Sequence, residues 1–243
     1  MTTPRHPIVT TGTDLGPSAA MWDEALRNLP PFRWPGTDRM VVVSPHPDDE
    51  TLGVGGLIAM ALDRSLPVVV LCVTNGEAAY SGRDLASVRR GELAEALAFL
   101  GEDGSITHHF LDLPDGGVEG CEIELRNIVR HFLAPGDLVL CPLLDDGHSD
   151  HAATATAAME AAHQVGAHVR CFPIWAWRHH DVSSSALLQG EKLTLTRTAR
   201  RRKQRAIACF QSQIGTENPV VPSWMLERLD RDFETLVDPS QAQ

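Results

Sequence analysis

The sequence predicts an α/β fold: a Rossmann-like, mainly parallel sheet of about five strands or more with helices on both faces. Three observations point there. Short β-branched runs alternate with longer amphipathic or Ala-rich stretches. The runs are continuously apolar, as in Val41-Val42-Val43, which suits strands covered on both faces. Clusters of His and Asp follow two of the runs directly, at the place where open α/β sheets hold their ligands.

Residues 1–38 are mixed in character and are expected to form an N-terminal extension packed on the domain. A short helix over 19–29 is stopped by Pro30-Pro31 and Pro35-Gly36. Residues 39–237 read as a single domain. It begins with a strand over 40–44 and a helix over 57–64, entered through Gly53-Val54-Gly55-Gly56. A strand over 67–73 ends in Thr74-Asn75-Gly76-Glu77, and an amphipathic helix over 85–100 is closed by Gly101. Then come a strand over 106–111, a helix over 123–133, a strand over 138–141, an Ala-rich helix over 152–165 and a strand over 169–175. Right-handed crossovers follow from strand twist. A basic helix over 198–210 and a terminal helix over 224–236 complete the domain, and residues 238–243 read as a frayed tail.

With 243 residues, 43% of them hydrophobic and 22% charged, the chain has material for one sizeable core. Its net charge of −11 argues against nucleic acid and anionic membranes as partners and favours cations. No apolar stretch is long enough to span a membrane, and the first residues lack the basic-then-apolar layout of a signal peptide. Cys72, Cys121, Cys141, Cys171 and Cys209 are scattered, with no CxxC pair, which predicts reduced cysteines in a cytoplasmic protein. The oligomeric state is open, a homo-oligomer included.

The chemistry concentrates in two places. Pro45-His46-Pro47-Asp48-Asp49-Glu50 follows the strand over 40–44, and Asp145-Asp146-Gly147-His148-Ser149-Asp150-His151 follows the strand over 138–141. Both clusters leave the same edge of a parallel sheet, so residues far apart in sequence can meet. Together they offer His46, Asp48, Asp49, His148, Asp150 and His151. Two imidazoles and one carboxylate suit a catalytic zinc that keeps a position open for water. A spare carboxylate can then act as a base and a spare imidazole can stabilise an oxyanion. Asp150 also stands where a helix N-cap is usual. The glycines at 53, 55 and 56 do not fit GxGxxG and read as close packing of a helix start on the sheet.

These motifs resemble the two signatures of the PIG-L, or LmbE-like, zinc-dependent N-deacetylases. Weaker matches are Arg89 and Glu92 before Leu100-Gly101, and Lys203, Ala206 and Ser212-Gln213. The resemblance runs from about Met40 to Gln213 and implies an LmbE-like fold. It implies metal ligation by His46, Asp49 and His151, with Asp48 as general base. His148 would be the oxyanion stabiliser and general acid, a cationic imidazole oriented by Asp150. The implied ion is Zn2+, with Fe2+ or Co2+ also accepted by such ligands. The implied reaction is removal of an N-acetyl group from an N-acetylglucosamine-type sugar or small-molecule amino-sugar conjugate. Arg89 and Asp115 match sugar contacts of some members.

Asp146 stands where some sugar deacetylases of the family carry a Tyr, so it is a candidate substrate contact. The lone Tyr80 is a candidate replacement for that hydroxyl. Trp34, Trp175, Trp177 and Trp224 could stack on a sugar or pack in the core. His179-His180-Asp181 is a further cluster, read as substrate contact or solvated loop. The basic run over 197–205 is read as a phosphate contact or a solvated helix face. Two other functions stay open: an amidohydrolase acting on another amide conjugate, and a non-catalytic metal- or sugar-binding protein.

Overall fold

A computed structural model describes residues 15–80, 85–101 and 104–240. Strands β1 (Met40–Ser44), β2 (Val68–Cys72), β3 (Ile106–Phe110), β4 (Leu138–Pro142) and β5 (His168–Phe172) form one parallel sheet, in the order β3-β2-β1-β4-β5. Val43 pairs with Leu71 across β1 and β2, and Val42 with Leu140 across β1 and β4. Every residue of β1 and β4 is buried, which is why both read as unbroken apolar runs. The fold is the doubly covered α/β sheet that the alternation predicts.

The chain lays down β1, β2 and β3 in one direction, then returns to the other side of β1 for β4 and β5. The order therefore reverses between β1 and β4. The loops leaving these two strands emerge side by side, at the crevice where open α/β sheets bind ligands. This one topological fact brings the two His/Asp clusters together.

The helices are α1 (Ala19–Ala25), α2 (Asp49–Leu62), α3 (Ala86–Leu100), α4 (Glu122–Phe132), α5 (Ser149–Val165), α6 (Ala176–His179), α7 (Arg197–Ile207), α8 (Gln211–Ile214) and α9 (Ser223–Leu229). Helices α2, α3 and α7 pack together, and α4 packs on α5. The alanines of α5 allow close approach: Ala155, Ala157, Ala158, Ala161 and Ala162 are all fully buried. Gly166 ends this helix in the left-handed conformation, with φ +77°. Among the described residues, no helix is long and apolar enough to cross a membrane.

Three elements differ from the sequence expectation. Helix α2 starts at Asp49 rather than near residue 57, with a kink at Val54. The glycines are the reason, because a Cβ on Gly53 would overlap the Phe172 ring and one on Gly56 the Leu195 side chain. The kink exposes the amides of Gly56 and Leu57, which donate to Glu234 at 2.7 and 2.8 Å. Glu234 also accepts from Lys203 Nζ at 2.7 Å, with both side chains buried.

The expected terminal helix over 224–236 is the second difference. It stops at Leu229, and Phe233–Leu236 forms β7, antiparallel to β6 (Glu191–Thr194). Phe233-Glu234-Thr235-Leu236 is wholly buried, and its hydrogen bonds to β6 outweigh continued helix. The third is the tail. Val237 pairs with Cys171 and Asp238 sits 3.0 Å from Arg170, so the chain is anchored through 238. Residues 1–14 and 241–243 of the expected extension and tail lie outside the described residues.

Within the N-terminal stretch, Ser18 caps α1 by accepting from the Met21 amide. Trp22 is fully buried; its Nε1 donates to the Trp177 carbonyl at 2.9 Å, and the two rings meet edge to face. Three residues of the basic run over 197–205 have partners close by. Lys203 pairs with Glu234, Arg202 with Asp63 at 2.8 Å, and Arg205 lies over the Phe99 ring.

Candidate metal centre

The first half of the centre is the turn from β1 into α2. Val73 and Thr74 donate their amides to the Ser44 and Pro45 carbonyls, which clamps the turn to the end of β2. The His46 carbonyl accepts from the amides of Asp48 and Asp49 and from the Ser44 hydroxyl, so Asp49 opens the helix pointing back at the His46 ring. The second half is the turn from β4 into α5. Gly147 adopts φ +88°, a left-handed conformation, with the His179 ring packed where a Cβ would stand. His148 is the N-cap of α5, and Asp150 and His151 lie in its first turn.

The two halves meet. The ring centroids of His46, His148 and His151 lie 4.9–5.3 Å apart. Asp49 Oδ2 is 3.1 Å from His46 Nδ1 and 3.3 Å from His151 Nε2. A tetrahedral ion bonded at about 2.0–2.1 Å holds its ligand atoms about 3.3 Å apart, so these spacings fit one shared cation. The decisive atom is His151 Nε2, which is buried, makes no hydrogen bond and has the Asp49 carboxylate beside it at 3.3 Å. A buried nitrogen left without a partner is costly unless something else binds it. His46, Asp49 and His151 thus form a group able to hold a metal ion. His46, His148 and Asp150 also converge. There, however, Asp150 already accepts from the Gly116 and Val118 amides at 2.7 and 3.2 Å.

Charge follows from burial. Although burial opposes ionisation, the neighbouring His151 and His46 hold Asp49 well below the usual carboxylate range. Burial pushes Asp48 the other way, up to about 7, against the pull of the Arg89 guanidinium. Burial likewise pushes Glu50 up to about 7, although Thr51 and Ser44 hydroxyls bond to it. His46 is raised well above the usual imidazole value: burial opposes this, but Asp115, Asp150 and Asp49 surround the ring. Asp115, in turn, is brought down to about 2 by its bond to His46, in spite of its burial.

Arg89, Asp115, Asp146 and Asp150 each contact a residue of this group or its neighbour Asp48. Arg89 is 3% exposed and faces inward. Its Nη2 is 3.2 Å from Asp48 Oδ2 and its Nη1 donates to the Gly76 carbonyl. Asp115 lies 3.2 Å from His46 Nε2 and accepts from the Ala78 amide. Both therefore serve residues of the centre in this structure. Asp146, expected to meet substrate, is fully buried and accepts from His151 Nδ1 at 2.7 Å. The hydrogen bonds of the Asp150 carboxylate go to the Gly116 and Val118 amides, and it lies 3.4 Å from His46 Nε2. It is the Asp150 amide that donates to His148 Nδ1, at 3.2 Å.

That bond leaves the ring proton of His148 on Nε2. Burial and the charges of His151 and His46 hold His148 well below the usual imidazole value, a direction that disfavours the cationic form expected. Tyr80 Oη donates to the Asn218 carbonyl and bonds the Thr216 hydroxyl. Trp22 and Trp177 are core residues, and Trp34 packs against Phe32. His180 bonds Ser185 and the Asp145 carbonyl, at the rim. Glu92 accepts from the amide and hydroxyl of Ser212, which ties α3 to α8. The sequence reading missed that Asp146 holds His151; its only trace was an Asp five residues before a His in a cluster rich in both.

The family model PIG-L, described as GlcNAc-PI de-N-acetylase, matches residues 41–162. A 1D-myo-inositol 2-acetamido-2-deoxy-alpha-D-glucopyranoside deacetylase of Mycolicibacterium gilvum is 33% identical over 161 residues, covering 52% of this chain and 56% of the relative. The diacetylchitobiose deacetylase of Thermococcus kodakarensis is 29% identical over 136 residues, covering 53% and 50%. The chain thus spans about half the length of these curated relatives. Among solved structures, a conserved protein from Thermus thermophilus superposes with a TM-score of 0.63 at 25% identity, covering 84% of this chain and 94% of that one.

Proposed function

The chain belongs to the PIG-L family, and from that premise we propose that it is a metal-dependent hydrolase that removes the acetyl group from an N-acetylglucosamine-type sugar or conjugate. The observation that carries this reading is the convergence of His46, Asp49 and His151, with His151 Nε2 buried and making no hydrogen bond, and with a second carboxylate, Asp48, next to Asp49 in sequence. The substrate class rests on the relatives, one named for an acetamido-glucopyranosyl inositol and one for diacetylchitobiose.

His46, Asp49 and His151 would hold the ion. Zn2+ suits two imidazoles and a carboxylate, and Fe2+ and Co2+ accept the same set. A cation there supplies Lewis-acid polarisation of an amide carbonyl and makes a water more acidic. Asp48 is the base: its oxygen takes a proton from the attacking water as the O–C bond forms. Its raised pKa makes it a good acceptor that can give the proton up again. The Arg89 guanidinium, 3.2 Å away, opposes that rise and orients the carboxylate.

Neutral His148 donates Nε2–H to the oxyanion that develops on the former carbonyl oxygen. Asp48 then passes its proton to the leaving nitrogen as the C–N bond breaks. Water is consumed, and acetate and a free amine are the products. In this scheme His148 stabilises charge and Asp48 carries the proton both ways, which reassigns the acid step from the histidine to the carboxylate.

The experiment is a screen of N-acetylated amino sugars and their conjugates with the metal-loaded protein, with the Asp48→Asn protein as control and both products identified. Acetate with a free amine supports the reading. A larger acid in place of acetate indicates an amidohydrolase of another amide. A bound metal with no turnover across the panel indicates a binding protein.

A further inference from the structure

Asp146 accepts four hydrogen bonds. Its Oδ1 receives the amides of Ile174 and Ala176 at 2.9 and 3.0 Å. Its Oδ2 receives the Trp175 amide at 3.0 Å and His151 Nδ1 at 2.7 Å. Four donors fill the four lone-pair sites of an ionised carboxylate. Since the carboxylate can only accept, His151 carries a proton on Nδ1, which leaves Nε2, facing Asp49 and His46, as the ring nitrogen that a metal ion would take.

The same stretch is gripped at the neighbouring positions. His180 Nε2 donates to the Asp145 carbonyl at 2.9 Å, and the His179 ring packs on Gly147. Residues 145–147 are thus held against residues 174–180. That segment is braced from behind by Trp22, whose Nε1 donates to the Trp177 carbonyl, and by the Arg231 guanidinium stacked 4.5 Å from the Trp177 ring. The family model ends at residue 162, so these braces lie outside the matched region.

We propose that Asp146 is the positioning residue that fixes the tautomer and direction of His151 for metal binding and joins that ligand to the segment over 174–180. It touches neither substrate nor ion. The inference rests on the reading of His151 as a metal ligand but not on the reaction, so it is tested with the metal alone.

In Zn2+-loaded protein labelled with 15N-histidine, the His151 signals are assigned by their loss in His151→Gln. They should show Nδ1 protonated and Nε2 unprotonated. In Asp146→Asn, one of the two carboxylate oxygens becomes an N–H donor facing donors. Zn2+ affinity, measured by competition with a chromophoric chelator, should fall about 10- to 100-fold, while Asp145→Asn, with its exposed carboxylate, should stay within about twofold of the unmutated protein. The opposite tautomer in the unmutated protein overturns the proposal, as does a folded Asp146→Asn that binds Zn2+ within about twofold of it. If Asp146→Asn does not fold, the tautomer alone decides.

Discussion

Arg89 Nη2 lies 3.2 Å from Asp48 Oδ2, with both side chains almost wholly buried. The pair joins a cation from α3 to the proposed base at the start of α2. It reaches across the loop after β2, where Gly76 leaves room for the guanidinium. Burial alone would drive Asp48 to its neutral form, and the guanidinium opposes that.

In the proposed reaction the pair sets the pH dependence. A base must be ionised to accept a proton, so activity should rise as pH climbs through the Asp48 pKa, about 7. Removing Arg89 removes the charge that lowers this value. Arg89→Met should therefore move the acid limb of the kcat/KM profile upward. A limb left in place, or moved down, would mean that the limb does not belong to Asp48.

The proposed division of labour between the two aspartates separates binding from catalysis. Asp48→Asn should keep the metal and lose about 10²- to 10⁴-fold in kcat. Asp49→Asn should lose the metal itself. Metal content by elemental analysis, read beside kcat, distinguishes the two.

His148→Ala removes the donor to the oxyanion and should cost about 10²- to 10³-fold in kcat with metal content unchanged. If the ring acts as the proposed neutral donor, the basic limb of the profile should not follow an imidazolium pKa. A basic limb that disappears in His148→Ala would restore the cationic assignment.

Metal binding should also be visible in stability. If the ion binds the folded centre as proposed, the melting temperature should rise with Zn2+; at about 100 times Kd the gain is about 2.7 kcal/mol. His151→Ala should abolish that rise. Differential scanning calorimetry with and without a chelator reads it directly.

The buried Lys203–Glu234 pair makes a purely structural prediction. Lys203→Met leaves Glu234 charged and buried, with only the Gly56 and Leu57 amides as partners. Denaturant unfolding should show a loss of about 3–5 kcal/mol. The kcat of the folded fraction should be unchanged, since neither residue touches the centre.

Much of this was legible in the chain, for identifiable reasons. Val41-Val42-Val43 and the run at 138–141 announce strands buried on both faces, and a strand buried on both faces implies the helices that cover it. The His-Pro-Asp-Asp and His-Ser-Asp-His clusters announce the centre because few folds need so many ligating groups just after strands. What was not legible is direction. Asp146, Asp150 and Arg89 are all near the centre, as expected, but which way each side chain points depends on amides far away in sequence: 174–176 for Asp146 and 116–118 for Asp150. The segment over 233–236 was hidden for a related reason. Its strand pairing with 191–194 is long-range, so helical periodicity nearby masked it. The kink at Val54 was likewise set by Phe172, Leu195 and Glu234, none of which is local.

The most direct test of the central claim is a titration of metal-free protein with Zn2+ while acetate release from a turned-over N-acetylglucosamine conjugate is measured. The proposed centre requires that acetate release rise with added metal and level off at one ion per chain, and that Asp49→Asn show no such rise. Acetate release that is undiminished in the metal-free protein, or that persists in Asp49→Asn, would contradict it.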